Sequence, residues 1–342
     1  MQNKRLMQVI FLRNRKRPKP AAAEDGLHAA CIHLHPRLCA MKAVLCAMWL
    51  LHWLPLPVLG RLGDGLGRLV YLVAGSRRHI ALVNLALCFP EVPDVARRVL
   101  ARQHFQAYTR SMLERGVLWW ASERRLRRLI VVEPALPLRT IMSGPTILLC
   151  PHFVGLDVAG VAVAMDVAGC AVYARQSNAV FDRALRKGRS RFRTSALFAR
   201  GQGIKPIIRA MHQRLPFFMC PDMDFGAKDA VFVPFFGVPA ATLTAPARLA
   251  SATGARVIPV IATTLPRYQG WKVEFHPPWT DYPGNNVAQA TERMNRFIEA
   301  QVRKKPAEYF WVHRRFKTRP AGAPGFYDAA RTHAMQVEKS PA

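Results

Sequence analysis

The chain has 342 residues, 51% of them hydrophobic and 21% charged, with a formal net charge of +29. So much apolar material excludes a disordered polycation, and a folded body this basic demands an anionic partner: nucleic acid, acidic membrane headgroups, or phosphorylated substrates and carriers. Its seven cysteines include no C-x-x-C pair, which argues against a disulfide framework or a zinc site and reads as buried thiols in a reducing compartment.

Residues 1–40 form a basic, proline-punctuated leader read as disordered, and Met41 directly precedes the first strongly patterned segment. From 43 to 59, "AVLCAMWLLHWLPLPVL" is apolar but carries Pro55 and Pro57. About 17 residues is the lower limit for crossing a bilayer core, so 41–58 is expected to be a helix embedded in a membrane or lying on it. Two amphipathic helices follow over 59–89, and a long helix starts near Asp94, after Pro93. Beyond residue 130 the pattern changes. Short β-rich runs at 146–150, 170–174, 216–220, 231–236, 256–262 and 271–276 alternate with helical periodicity at 156–168, 179–187, 204–214, 243–253 and 286–304. Alternation of this kind predicts an α/β layered domain over 59–320, with a central mixed sheet flanked by helices, and a flexible tail from 321 to 342.

The chemistry-bearing candidate is "CPHFVGLD", where His152 and Asp157 stand five positions apart in an apolar stretch. Spacing alone says little: the composition gives roughly 0.7 His-x4-acid pairs by chance, and His276/Asp281 and His333/Glu338 share the pattern. Only His152 follows an apolar strand and opens a helix, where α/β folds present reactive groups. The bland reading has both side chains satisfying neighbouring backbone. The functional one places His152 in the strand-end turn and Asp157 in the first helical turn, with Gly155 permitting the turn; Asp157 then accepts the Nδ1 proton and Nε2 is free to act as a base.

Four further features bear on ligands. Asp222 and Asp224, in "PDMDFG", have no third ligand at a useful metal spacing and are expected to order their loop by bonding backbone N–H groups or arginines. Arg175, in "VYARQSN", could stabilise an oxyanion or clamp a phosphate, or be a solvated surface arginine. "RALRKGRSRFR" (183–193), which holds Arg189, is a basic patch suited to nucleic acid, an acidic headgroup or an acidic protein. "WVHRRFKTRPAG" (311–322) gathers His313, Arg314, Arg315, Lys317 and Arg319. Asp222, Asp224, Arg189, Arg314 and Arg315 are the candidate substrate contacts.

The stretches "PHFVGLD", "VYARQSN", "PDMDFG…VFVPFFGVPAAT" and "WVHRRFKTRP", with the upstream "NLALCFPE", resemble the late acyltransferases of lipid A biosynthesis, within the lysophospholipid acyltransferase superfamily. The resemblance runs from Val58 to Pro320. It implies an acyltransferase-type α/β domain that moves a fatty acyl chain from acyl carrier protein to a hydroxyl of a phosphorylated lipid A precursor. The implied location is the cytoplasmic face of the bacterial inner membrane, against an anionic surface, with no metal, cofactor or nucleic acid involved. It also implies His152 as general base, Asp157 as its partner and Arg175 as oxyanion support, although an alanine here separates Tyr173 from that arginine. Two other readings stay open: a glycerolipid or lysophospholipid acyltransferase using the same pair, and a non-catalytic basic module that binds membranes or nucleic acid.

Overall fold

The computed structural model describes residues 36–327 apart from 136 and 194. The readings of residues 1–35 and 328–342, including Cys31 and the His333/Glu338 pair, lie outside the described residues. Residues 36–40, expected in the leader, already belong to helix α1 (Pro36–Leu51). The segment 43–59 is not one helix. Leu54 precedes Pro55 and is disfavoured in the helical region, so α1 ends at Leu51 and the chain turns before α2 (Leu56–Val73), which tolerates Pro57 in its first turn. Among the described residues no helix is long and apolar enough to cross a membrane.

Helix α2 has two different faces. Leu59, Gly60, Gly63 and Gly67 are buried. A Cβ at Gly63 or Gly67 would lie 2.6 or 2.5 Å from the Cα of Arg110 or Gln106, so missing side chains let α2 press against α4 (Asp94–Trp120) backbone to backbone. In the chain the two are joined through α3 (Gly75–Cys88). The opposite face of α2 leaves Leu62, Leu66, Leu69 and Val73 exposed at helical spacing, and Trp49, Leu50 and Trp53 are exposed beside it in sequence. Cys39 and Cys46, expected to be buried, are exposed on α1, whereas Cys88, Cys150 and Cys170 are buried.

After α5 (Glu123–Leu129) come β1 (Ile130–Val132), α6 (Leu138–Met142), β2 (Thr146–Leu149), α7 (Leu156–Asp166), β3 (Cys170–Tyr173), α8 (Ala179–Arg189), β4 (Ala196–Ala199), α9 (Lys205–His212) and β5 (Phe217–Met219). The chain continues through β6 (Ala230–Phe235), β7 (Val238–Leu243), α10 (Ala245–Thr253), β8 (Arg256–Thr264), β9 (Trp271–Phe275) and α11 (Val287–Lys304). Among the described residues seven strands form one sheet in the order β1-β9-β8-β2-β5-β3-β4. Every neighbouring pair is parallel except β8–β9, whose short connection permits only the antiparallel arrangement. The sheet is therefore mixed and mainly parallel.

Strand β2 lies at its centre and is buried throughout. Its alternation feeds two apolar layers: Ile147 and Leu149 pack with Leu249 and Ile298, while Leu148 and Cys150 pack with Val158 and Val163. Helices on both faces explain why such a strand reads as an unbroken apolar run. β6 and β7 form a separate hairpin, closed at Phe236-Gly237 with φ of 53° and 75°, the pair of positive φ values that a two-residue turn of this hand requires. Thus 238–243 is a strand outside the expected β-rich runs, and it takes in residue 243, the expected start of a helix. The start of the expected tail is also tied down: the Tyr327 hydroxyl donates to Asn84 Oδ1 (2.6 Å) and accepts from Phe316 N (3.0 Å).

Candidate active site

Parallel strands β2 and β5 pair with Leu149 opposite Met219. Each then runs into Cys-Pro: Cys150-Pro151-His152 on one strand, Cys220-Pro221-Asp222 on the other. Equal steps beyond register partners leave the next side chains next to each other at the carboxyl ends of the strands, where open α/β sheets hold their sites. Accordingly His152 Nδ1 lies 2.7 Å from Asp222 Oδ1, and the His152 backbone N–H donates to Asp222 Oδ2 at 2.9 Å. Asp222 is buried. Burial works to raise its carboxyl pKa, but the His152 ring and the hydrogen bonds from that residue outweigh it and hold the group below its ordinary value. An ionised Asp222 accepts the Nδ1 proton, which makes Nε2 the basic nitrogen. Nε2 has no partner among the described residues, and the side chain keeps 19% of its surface exposed.

A strap near the C-terminus closes the site. Val154 N–H donates to Glu308 O (2.8 Å) and Phe310 N–H to His152 O (2.9 Å), and the Phe310 ring lies 6.3 Å from the His152 ring. Asn84 on α3 holds the strap by donating to Trp311 O and His313 O, both at 2.7 Å. The buried Tyr309 hydroxyl is raised in pKa, first by burial and then by the nearby Asp222 carboxylate. His152, Asp222, Tyr309, His313, Arg315 and Asn84 share the walls of one pocket.

Asp157 occupies the first turn of α7 as expected, yet it is not the partner of His152. Arg115 on α4 donates from Nε to its Oδ2 (2.9 Å) and keeps Nη2 2.8 Å from the same oxygen as an ion pair, and Arg189 on α8 donates from Nε and Nη2 to its Oδ1 (3.0 and 2.7 Å). Two guanidinium forks take both carboxylate oxygens and outcompete a neutral imidazole. Burial alone would raise the carboxyl; Arg189 and Arg115 override it and hold Asp157 well below the usual carboxylate range. Asp157 and Arg115 line a second pocket with Ser111, Glu114, Thr264 and Trp271, on whose walls His152 does not lie. Gly155 also plays another part than expected. Its φ is −79°, open to any residue, and what excludes a side chain is space, because a Cβ there would stand 2.5 Å from Ala262 O.

The remaining candidates separate. Asp224 orders its loop, as expected: it accepts from Gly226 N (2.9 Å), Thr318 N (2.6 Å) and Thr318 Oγ1 (2.7 Å). Asp222 likewise holds a backbone N–H while orienting His152. Arg315 is buried, donating to Ala241 O (2.9 Å) and Thr242 Oγ1 (2.8 Å), so its head locks the hairpin and only part of it reaches the pocket wall. Arg314 is exposed and lies over the Tyr327 ring. Arg175 is exposed after β3, outside the walls of the His152 pocket, and is not brought to the base. The 183–193 patch is only partly a free basic surface, since Arg189 is committed to Asp157 and Arg191 donates to Leu118 O (3.0 Å) and Ala121 O at the end of α4. Sequence reasoning missed Arg115, Asn84 and Tyr309 as parts of these constellations. For Asp222 a signal existed: two apolar runs, "TILL" and "PFFM", each end in Cys-Pro followed by a polar side chain.

Residues 29–318 match the family described as bacterial lipid A biosynthesis acyltransferase. The chain is 32% identical over 297 residues to the lipid A biosynthesis lauroyltransferase of Escherichia coli (strain K12), across 86% of this chain and 96% of that protein. It is 30% identical over 297 residues to the lipid A biosynthesis palmitoleoyltransferase of the same organism, covering 86% and 96%. The corresponding myristoyltransferase is 30% identical over 269 residues, covering 78% and 82%.

Proposed function

The chain belongs to the bacterial lipid A biosynthesis acyltransferase family and is an enzyme of that pathway, and from that premise we propose that it moves a fatty acyl chain from an acyl carrier protein thioester to a hydroxyl of a phosphorylated lipid A precursor, with His152 as general base and Asp222 as the group that orients it. The observation that carries this reading is the 2.7 Å contact between His152 Nδ1 and Asp222, with Nε2 left without a partner among the described residues at the pocket wall. The acceptor O–H gives its proton to Nε2 while its oxygen attacks the thioester carbonyl, whose π electrons move to oxygen. Collapse of that tetrahedral oxyanion reforms the carbonyl and breaks the C–S bond, and the thiolate takes the proton back from the imidazolium. A thioester is already activated, so the chemistry needs no metal or cofactor; general-base catalysis supplies about 10²–10⁴-fold. The excess of Lys and Arg suits both an acidic carrier protein and a phosphorylated saccharide. Purified enzyme given an acyl carrier protein thioester and an under-acylated, phosphorylated lipid A precursor is expected to add one acyl chain, read by mass spectrometry. Transfer to glycerol phosphate or a lysophospholipid instead would overturn the acceptor.

The same reading sets the enzyme at the cytoplasmic face of the inner membrane, with the outer face of α2 lying in the headgroup region. Leu62 and Leu69 are 48% and 55% exposed and pack against little of the fold, and an exposed apolar stripe on an amphipathic helix is the signature of an interfacial element. Each leucine withdrawn from water contributes about 1 kcal/mol or more. The triple substitution Leu62→Ser, Leu66→Ser, Leu69→Ser is therefore expected to weaken co-sedimentation with anionic vesicles at least tenfold while leaving the thermal transition unchanged. Undiminished vesicle binding would place the docking face elsewhere.

A further inference from the structure

We propose that His313 is a second catalytic residue of the transfer reaction, a neutral imidazole whose Nδ1–H donates to the oxyanion formed on the acyl carbonyl, opposite the base His152 in the same pocket. The proposal rests on the acyl-transfer reading above and adds an electrophile to its base.

The tautomer follows from one contact. The backbone N–H of Asp224 donates to His313 Nε2 at 3.0 Å. A backbone N–H can only donate, so Nε2 must accept, and a neutral ring then carries its proton on Nδ1. Among the described residues Nδ1 has no partner, and it is not among the nitrogens sealed from solvent. The ring is also held neutral. Burial lowers its pKa to about 4; the nearby His152 and Arg315 push the same way, while Asp222 and Asp224 oppose them. At neutral pH the pocket therefore presents one imidazole as an acceptor, at His152 Nε2, and another as a donor, at His313 Nδ1.

The donor is also fixed in place. Asn84 Nδ2 and Arg315 N both donate to His313 O, at 2.7 and 2.9 Å. Asp224, which holds the far side of the ring, is itself held by Thr318 and Gly226. A hydrogen-bond donor held in advance where charge develops spends nothing on reorganisation, and such a group is worth about 10²–10³ in rate. A neutral imidazole serves better here than an imidazolium, which would repel the positive charge that His152 acquires when it takes the acceptor's proton.

Two amides separate this role from a structural one. In His313→Gln the side-chain oxygen reaches the position of Nε2 and can still accept from Asp224 N–H, but the donor at Nδ1 is lost. In His313→Asn the amide nitrogen falls near Nδ1 and can still donate. The expected kcat falls about 10²–10³-fold in His313→Ala and His313→Gln, with KM within about threefold of wild type, and His313→Asn recovers at least tenfold over His313→Gln. The proposal is overturned if His313→Gln matches wild type while His313→Asn does not, or if His313→Ala stays within threefold. Should none of the variants fold, ¹⁵N-histidine NMR of the wild-type enzyme decides: the His313 ring is expected to be the neutral Nδ1–H tautomer from about pH 5 to 8, and an Nε2–H or cationic ring at pH 7 overturns the assignment. That spectrum needs no substrate. A wild-type enzyme inactive on the lipid A precursor would sink the acceptor reading while leaving the tautomer measurement standing.

Discussion

Asp222→Asn is expected to lower kcat by about 10³–10⁴-fold, His152→Ala at least as much, and the double variant no further than His152→Ala alone. The carboxylate of Asp222 can only accept, which forces the Nδ1 proton onto the side facing it and leaves Nε2 basic. An asparagine of the same size offers an amide N–H as readily as its oxygen. When that N–H faces Nδ1, the imidazole proton must sit on Nε2, and the base is capped at the atom that has to accept the acceptor's proton. Because the carboxylate acts only through the ring, removing both groups costs no more than removing the ring, and this non-additivity is what a kinetic double-mutant cycle reads. Additive losses, or an Asp222→Asn enzyme within tenfold of wild type, would dismiss the pair.

A structural explanation for the same loss has its own signature. Asp222 also accepts from the His152 backbone N–H at 2.9 Å and lies beside the Tyr309 hydroxyl, and its substitution will loosen the turn between β2 and α7. Tyr309→Phe removes a buried polar group beside Asp222 without touching the tautomer. It is expected to lower the thermal transition while keeping kcat within about tenfold of wild type, so the two variants part stability from rate.

Much of the architecture was legible because it is local. The apolar runs that became β2, β5 and β8, and the 3.6-residue periodicity of α8, α9 and α11, can be read within windows of a dozen residues. β1 was lost because it continues directly from α5 with no turn residue between them, β4 because the alanines and leucine of "ALFA" suit a helix as well as a strand, and β7 because Pro239 and the small residues after it read as the approach to a helix. The site divides along the same line. His152 could be found from its own neighbourhood, but its partner stands 70 positions away and becomes a neighbour only through the register of two parallel strands. Asp157 was assigned to His152 because the chain shows five-residue spacings and hides the two arginines, 42 and 32 positions distant, that reach it across α4 and α8. A comparison of strand endings rather than spacings would have linked "CPH" to "CPD".

That second constellation leads to the other large effect: Asp157→Asn is expected to destabilise the fold by about 3 kcal/mol at neutral pH, the lower end of what removing one member of a buried ion pair costs. The lower end applies because Arg189 keeps 34% of its side chain in solvent. The amide leaves two guanidinium groups facing each other without an anion between them, and the start of α7, next to the catalytic turn, loses its anchor. Its pH dependence has a definite sign. Asp157 is held below its ordinary value of 3.8 by Arg189 and Arg115 against the effect of burial, so its contribution is complete above the unfolded value and is lost as pH falls through it toward the folded one. The stability gap between wild type and Asp157→Asn in urea is thus expected to stay constant from pH 8 to 5 and to shrink only below about pH 4. Arg115→Met should be strongly non-additive with Asp157→Asn in the same assay, whereas Asp222→Asn should add to it, because the two carboxylates belong to different pockets. Turnover should fall about ten- to a hundredfold, as the loosened helix lets His152 drift. A thousandfold loss of kcat with no change in urea stability would mean instead that Asp157 leaves its arginines and reaches His152 in the working enzyme.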